Sequence, residues 1–158
     1  MANTKKRRSR YNPADADFHK EDFPFYWLAR VHGRYSMAME RLLKRVDLDI
    51  PRWRVINILY ENDRASISEI SEHAVAKLST ITKIVYRMKD DGLVDTIQSP
   101  EDGRVTLVSL TEAGRAAFFA MHDATHDLFH SSFKGLTEPQ LRKLNQSLAI
   151  IFSNLPEH

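Results

Sequence analysis

From Phe23 onward, apolar residues return every three or four positions: Leu28, Val31, Tyr35, Met39, Leu42 and Val46. That spacing lines one face of a helix, so it predicts a long first helix ending near Asp47. Asp49 then offers a side-chain acceptor to unbonded N–H groups, and Pro51 suits a first turn, so a second helix is expected to start here. It is apolar on two sides, with Val55, Ile58 and Leu59 on one and Trp53, Ile56 and Tyr60 on the other. Such a helix is expected to lie sandwiched between other elements. Ser66-Ile67-Ser68-Glu69 has the S-x-x-E form of a capping box and opens a short third helix. In the next segment, AKLSTITKIVYRMKDDGLV, the residues Ile81, Ile84, Val85 and Met88 fall at helical spacing. Gly92 suits the positive-φ position just past the end of that fourth helix.

VDTIQS and RVTLVSL then carry β-branched residues on either side of the turn Pro100-Glu101-Asp102-Gly103, which predicts a β-hairpin. Thr111 caps a long helix with apolar Ala117, Met121, Ala124 and Leu128, and Gly135 breaks it. Thr137 with Gln140, and Pro139 in the first turn, open a last helix. Its stripe is Leu141, Leu144, Leu148, Ile151, Phe152 and Leu155. All five glycines are read as turn positions. The fold class is therefore mainly α with a small β-wing. The first helix and the last two share long apolar faces that a small central module cannot cover, which points to a partner, most simply a second copy in a symmetric homodimer.

Composition changes this picture mostly by exclusion. At 158 residues the chain has the size of one domain and can bury a core without staples. It has no cysteine, which rules out disulfides, CxxC zinc sites and thiol chemistry. No apolar run approaches a membrane span, and the N-terminal MANTKKRRSRYNP lacks a signal core, so a cytoplasmic protein without membrane association is expected. Five cations and no acid stand in the first ten residues; the remaining 18 Lys and Arg face 21 Asp and Glu. The body is mildly acidic, so only local clustering can argue for nucleic acid. Residues 1–20 read as a disordered basic arm, either solubilising or touching nucleic acid or an anionic effector.

Local clustering is what the fourth helix shows. With about 100° of rotation per residue, Ile81, Ile84, Val85 and Met88 form its buried face. Ser79, Lys83, Tyr86 and Arg87 point away, flanked by Thr80 and Thr82. Short hydroxyl side chains near the start let the backbone approach base edges, while Lys83 and Arg87 reach phosphate or guanine. The short third helix would support it across the DNA backbone. The hairpin tip adds Arg104 at the end of a narrow ribbon able to enter a minor groove. A helix pair followed by an arginine-tipped hairpin is a winged helix-turn-helix.

On these residues the chain resembles the MarR family of bacterial transcriptional regulators, over residues 25–155. ISEISEHAVAKLSTITKIVYRMKDDGLV and SPEDGRVTLVSLTEAG carry the likeness, the second with the wing pattern Asp102, Arg104, Leu110 and Thr111. The resemblance implies a 21–48 N-terminal dimerisation helix, a 49–110 winged helix-turn-helix and 111–158 C-terminal dimerisation helices. It implies an obligate homodimer on near-palindromic double-stranded operator DNA, usually as a repressor. Ser79, Thr80, Thr82, Lys83 and Arg87 match its DNA-contacting positions, Arg104 its wing arginine, and Asp102 the aspartate that orients Arg104. One departure stands out: family members commonly begin this helix with Ser or Asp, whereas this chain has Lys77. Either the cap moves to Ser79 or the helix end is loose until phosphate arrives.

The resemblance also implies a small-molecule effector bound between the dimer helices and the winged module. Trp27, Arg30, Arg34, Tyr35, Trp53 and Arg54 are the candidate lining, and aromatics beside arginines suit an aromatic carboxylate or an acyl-CoA thioester. Alternatively, the aromatics are core and the arginines solvated. His122, His126 and His130 stripe one helix beside Asp123 and Asp127. Zinc-responsive members use paired histidines there, making His122 and His126 candidates for a zinc-responsive regulator. Such members also draw a histidine from the second helix, where Arg54 stands here, so a solvated or pH-sensitive stripe is the favoured reading and no metal or other cofactor is expected. No nucleophile elbow, P-loop or HExxH appears, which argues against an enzyme. The remaining rival is a winged helix that binds protein instead of DNA.

Overall fold

The computed structural model describes residues 11–156. Its contacts divide it into two compact units, one ending at Thr125 and one beginning at His126. In the first, successive turns over residues 12–18 (Asp15 N–H to Asn12 O, Phe18 N–H to Asp15 O) lead into a short 3-10 turn at Lys20–Asp22. The cations of the basic arm, Lys5 to Arg10, lie outside the described residues. Helix α1 runs Pro24–Leu43 and tightens into a 3-10 turn, Lys44–Val46, that ends at Asp47 with a φ of 55°. Helix α2, Ile50–Asn62, starts where Asp49 accepts a hydrogen bond from the Arg52 N–H at 2.8 Å.

Helix α2 buries Val55, Ile56 and Leu59 fully and half-buries Trp53, Ile58 and Tyr60. Both of its expected apolar faces are thus covered. Around it lie Met39 and Leu43 of α1, Ile70 of α3 (Ile67–His73), and Ile81, Val85 and Met88 of α4 (Leu78–Asp90). Each such side chain contributes about 1.5–3 kcal/mol on burial, so α4 is held by its inner face while its outer face stays in solvent. Strands β2 (Val94–Gln98) and β3 (Thr106–Leu110) pair antiparallel from Val94 with Leu110 to Gln98 with Thr106.

Two expectations need correction. The hairpin is not alone: a two-residue strand β1, Ala65–Ser66, pairs with β3 and makes the sheet order β1-β3-β2. Two residues carry no alternation to detect, and Ser66 had already been read as a cap; it does both. Nor do all the glycines sit in turns. Gly33 lies inside α1, and Gly114 is in the first turn of α5 (Glu112–Ser132). A Cβ built on Gly114 would come 2.0 Å from the Leu93 carbonyl oxygen. Gly92 and Gly135 do take the positive φ expected of them, 74° and 89°.

The capping box at α3 forms as read. Ser66 Oγ accepts the Glu69 N–H at 3.2 Å, and Glu69 accepts the Ser66 N–H at 2.7 Å. The Ser66 backbone N–H first, and the Ser66 side chain after it, hold the Glu69 carboxyl below its ordinary value of 4.5. A depressed folded-state pKa stabilises the fold above the unfolded value and stops doing so as pH falls through the folded one. Melting temperatures of wild type and Glu69→Gln are therefore expected to differ at neutral pH and to converge in acid. A gap that stays constant with pH would contradict this.

The second unit holds the end of α5 and helix α6, Glu138–Asn154. At the start of α6 the Thr137 N–H and hydroxyl both donate to Gln140 Oε1, at 2.8 and 3.0 Å. No residue of α6 is buried, and Leu144, Ile150 and Phe152 are exposed.

Candidate nucleic-acid interface

Helix α4 owes its orientation to three anchors beyond its apolar face. Arg52 of α2 pairs with Asp91, the residue that ends α4, at 2.9 Å. The Arg52 side chain is partly buried while Asp91 is exposed, so this pair serves to position the helix end more than to stabilise the fold. Lys89 Nζ donates to Thr96 Oγ1 at 2.7 Å and ties the helix to β2. At the other end, Ser71 Oγ donates to the Ala76 carbonyl at 2.7 Å, fixing the turn between α3 and α4. That turn contains Val75, with φ 51° and 80% of its surface exposed. A β-branched residue in the left-handed region is strained.

With α4 so held, Ser79, Thr80, Lys83 and Arg87 are exposed together, and Tyr86 stands among them. Lys83 and Arg87 form no ion pair among the described residues. Their charge is unpaired on a face whose one acid within the helix, Asp90, comes only at its last residue, so the first three turns present cations and hydroxyls alone, as binding a polyanion needs. Thr82 differs: it is half-buried, and its hydroxyl donates to the Leu78 carbonyl at 2.8 Å. It retains only acceptor capacity toward a ligand. The alternatives at the helix start resolve to the open end. Lys77 is the N-cap and makes no side-chain cap bond, while Ser79 lies within the helix.

The hairpin tip is shaped by its own polar residues. Asp102 Oδ1 accepts the Arg104 backbone N–H at 2.9 Å, and the Val105 N–H donates to the Asp102 carbonyl at 2.9 Å. Asp102 thus orients Arg104 through its backbone, and the exposed guanidinium makes no ion pair among the described residues. At the base, Thr111 Oγ1 donates to the Gly92 carbonyl at 2.7 Å and accepts the Gly114 N–H at 3.0 Å. One side chain joins the end of α4, the wing and α5.

The six residues named for an effector separate. Trp53 and Arg54 line an open groove of about 410 Å³ on α2, with Asn57, Glu61 and His73. Tyr35 is half-buried; burial raises its pKa, and the nearby Arg54 charge acts against that. Trp27 instead donates Nε1–H to the Glu21 carbonyl at 2.7 Å, Arg30 lies 5.4 Å from the Tyr26 ring centre, and Arg34 is exposed. Asn57 and His73 were missed because they stand on different helices, α2 and α3, and a lone polar residue has no periodic signature. On α5, His122 lies 3.9 Å from Asp123, and His126 lies 3.3 Å from Asp127. Among the described residues no group of three or more His, Asp or Glu is placed to hold a metal ion. Likewise, no described helix is long and apolar enough to cross a membrane.

Residues 48–106 match the family model described as MarR family. Over 151 residues, covering 96% of this chain and 90% of the relative, the sequence is 64% identical to the HTH-type transcriptional repressor IacR of Pseudomonas putida. The fold is similar to a MarR-family transcriptional regulator from Silicibacter pomeroyi, with a TM-score of 0.80 at 24% identity, covering 90% of this chain and 97% of that one. It is also similar to BpsR of Bordetella bronchiseptica, whose DNA binding is regulated by 6-hydroxynicotinic acid, with a TM-score of 0.70 at 21% identity, covering 80% and 96%. Family model, close relative and fold agree with the exposed cationic helix and arginine-tipped wing: this chain belongs to the MarR family of DNA-binding transcriptional regulators and is not an enzyme.

Proposed function

We propose that the protein is a transcriptional repressor that binds a near-palindromic operator as a homodimer and leaves it on binding an aromatic carboxylate. The observation that carries DNA binding is the shared exposure of Lys83, Arg87 and Arg104 without ion pairs among the described residues. Repression is supported by the name of the 64%-identical relative. Each unit exposes apolar residues that a second copy would cover, Val31 and Met37 on α1 in the first and Ile150 and Phe152 on α6 in the second. Residues 21–48 and 111–158 serve as dimerisation segments around the 49–110 module, which works on DNA inside the cell.

The effector reading rests on the α2 groove, whose volume of about 410 Å³ suits a small ligand. Trp53 supplies an aromatic wall, and Arg54 and His73 supply donors for a carboxylate. Arg54 Nη1 also donates to the Ala74 carbonyl at 3.3 Å, at the end of α3 and just before the strained turn. A carboxylate that recruits this guanidinium competes with that bond and so acts on the approach to α4. 6-Hydroxynicotinic acid, the regulator of BpsR, has this chemistry.

The test is a thermal-shift and DNA-release screen with one- and two-ring aromatic carboxylates, their CoA thioesters and zinc. A carboxylate is expected to raise the melting temperature and free DNA. Arg54→Ala is expected to weaken that ligand about ten- to a hundredfold, as for loss of a charge-assisted hydrogen bond. A response confined to zinc or to thioesters, or one unchanged in Arg54→Ala, would remove the carboxylate assignment.

A further inference from the structure

Between α4 and the hairpin lies an open groove of about 260 Å³. Five hydroxyl residues line it, and Arg104 stands in the same lining; three of the five are Ser68 of α3, Tyr86 of α4 and Thr106 of β3. Neither those hydroxyls nor the Arg104 guanidinium has a side-chain partner among the described residues. Two further hydroxyls in the lining are committed differently. Thr82 spends its hydrogen on the Leu78 carbonyl, and Ser66 is engaged with Glu69, accepting its N–H and bonding its carboxyl. Ile67, Leu78 and Val105 supply the apolar part of the wall, and no carboxylate is in the lining. The nearby Glu69 carboxylate is held on the Ser66 N–H at 2.7 Å. The groove is therefore rich in donors, carries one cation, and has apolar surface beside it.

We propose that this groove seats one backbone phosphodiester of the bound DNA, the one that passes between α4 and the wing, with Tyr86, Ser68 and Thr106 donating to its oxygens. The proposal rests on the DNA-binding reading. If α4 lies in a major groove and Arg104 in the adjoining minor groove, the strand dividing those grooves must cross the gap between the two elements. A phosphodiester has acceptors only, so it matches a lining of hydroxyl donors, and the apolar wall suits the sugar carbons. Such contacts fix the position of the protein on the duplex without reading its sequence. Tyr86, identified from sequence only as an outward-facing residue, becomes a positioning residue.

Neutral donors give this seat a signature distinct from that of a lysine. Removing a hydroxyl weakens binding but releases no fewer counterions, so the slope of log affinity against log salt stays unchanged. The experiment uses a duplex selected by the wild-type protein from a random pool, a random-sequence duplex, and a scan of single methylphosphonates along one half-site. Tyr86→Phe and Thr106→Val keep ring and shape, and unchanged melting temperatures certify their folds. Each is expected to weaken both duplexes about three- to tenfold, the worth of a neutral hydrogen bond, at constant salt slope. One methylphosphonate position should weaken wild type yet add little to Tyr86→Phe. Tyr86→Phe binding like wild type, a changed base preference, or no coupled position would overturn the seat. A wild-type protein that enriches no duplex from the pool and does not bind the random-sequence duplex would overturn the repressor reading beneath it.

Discussion

Gly114→Ala is expected to lower the stability of the protein by about 3 kcal/mol or more, the upper end of overpacking. The added methyl would stand 2.0 Å from the Leu93 carbonyl oxygen and 3.1 Å from Leu110 Cδ2. The first neighbour is backbone, which no rotamer change can move. That same oxygen accepts the Thr111 N–H at 3.1 Å, and Thr111 in turn bonds Gly92 and Gly114. Relief of the clash must therefore push the first turn of α5 away from the strand base or break this knot. Denaturant unfolding followed by circular dichroism would measure the loss, and a midpoint within error of wild type would show that the approach is looser than described. The knot joins the wing to α5, so any Gly114→Ala protein that survives should also hold the wing poorly and bind DNA weakly.

Arg104→Ala is expected to weaken the selected duplex by about 1–3 kcal/mol and to reduce the salt slope by about one. The guanidinium is exposed on a ribbon tip whose shape depends on Asp102 and the backbone, so its removal leaves the tip intact. Arg104→Lys restores charge but not the flat fork, and should recover the slope more fully than the affinity. Anisotropy titrations at several salt concentrations separate these terms. If Arg104→Ala matches wild type in both affinity and slope, the hairpin does not touch DNA.

What the sequence disclosed was whatever is written locally. Asp49, Ser66 and Thr137 sit where helices begin because a short oxygen-bearing side chain is recognisable wherever it precedes an apolar period. The inner face of α4 emerged from spacing alone, with Ile81, Val85 and Met88 buried and Ile84 half-buried. What stayed hidden depends on residues far apart in the chain. Strand β1 exists because Ala65 meets Val108, and Gly114 is small because Leu93 comes close. Val75 carries no glycine-like warning of its left-handed backbone. Likewise, no local pattern could bring Asn57 and His73 to one groove, or divide Trp53 and Arg54 from Trp27.

The first turn of α4 opens on Lys77, a residue whose side chain can only donate. The acceptor that a capping serine or aspartate side chain would offer the first N–H groups is missing here. Isolated, the segment is less well finished than a serine would make it; beside an anion it is completed from outside. The helix itself is already wound here, with the Thr80 and Ile81 N–H groups on the Lys77 carbonyl, so all that a docked anion would add is the acceptor that the Lys77 side chain lacks.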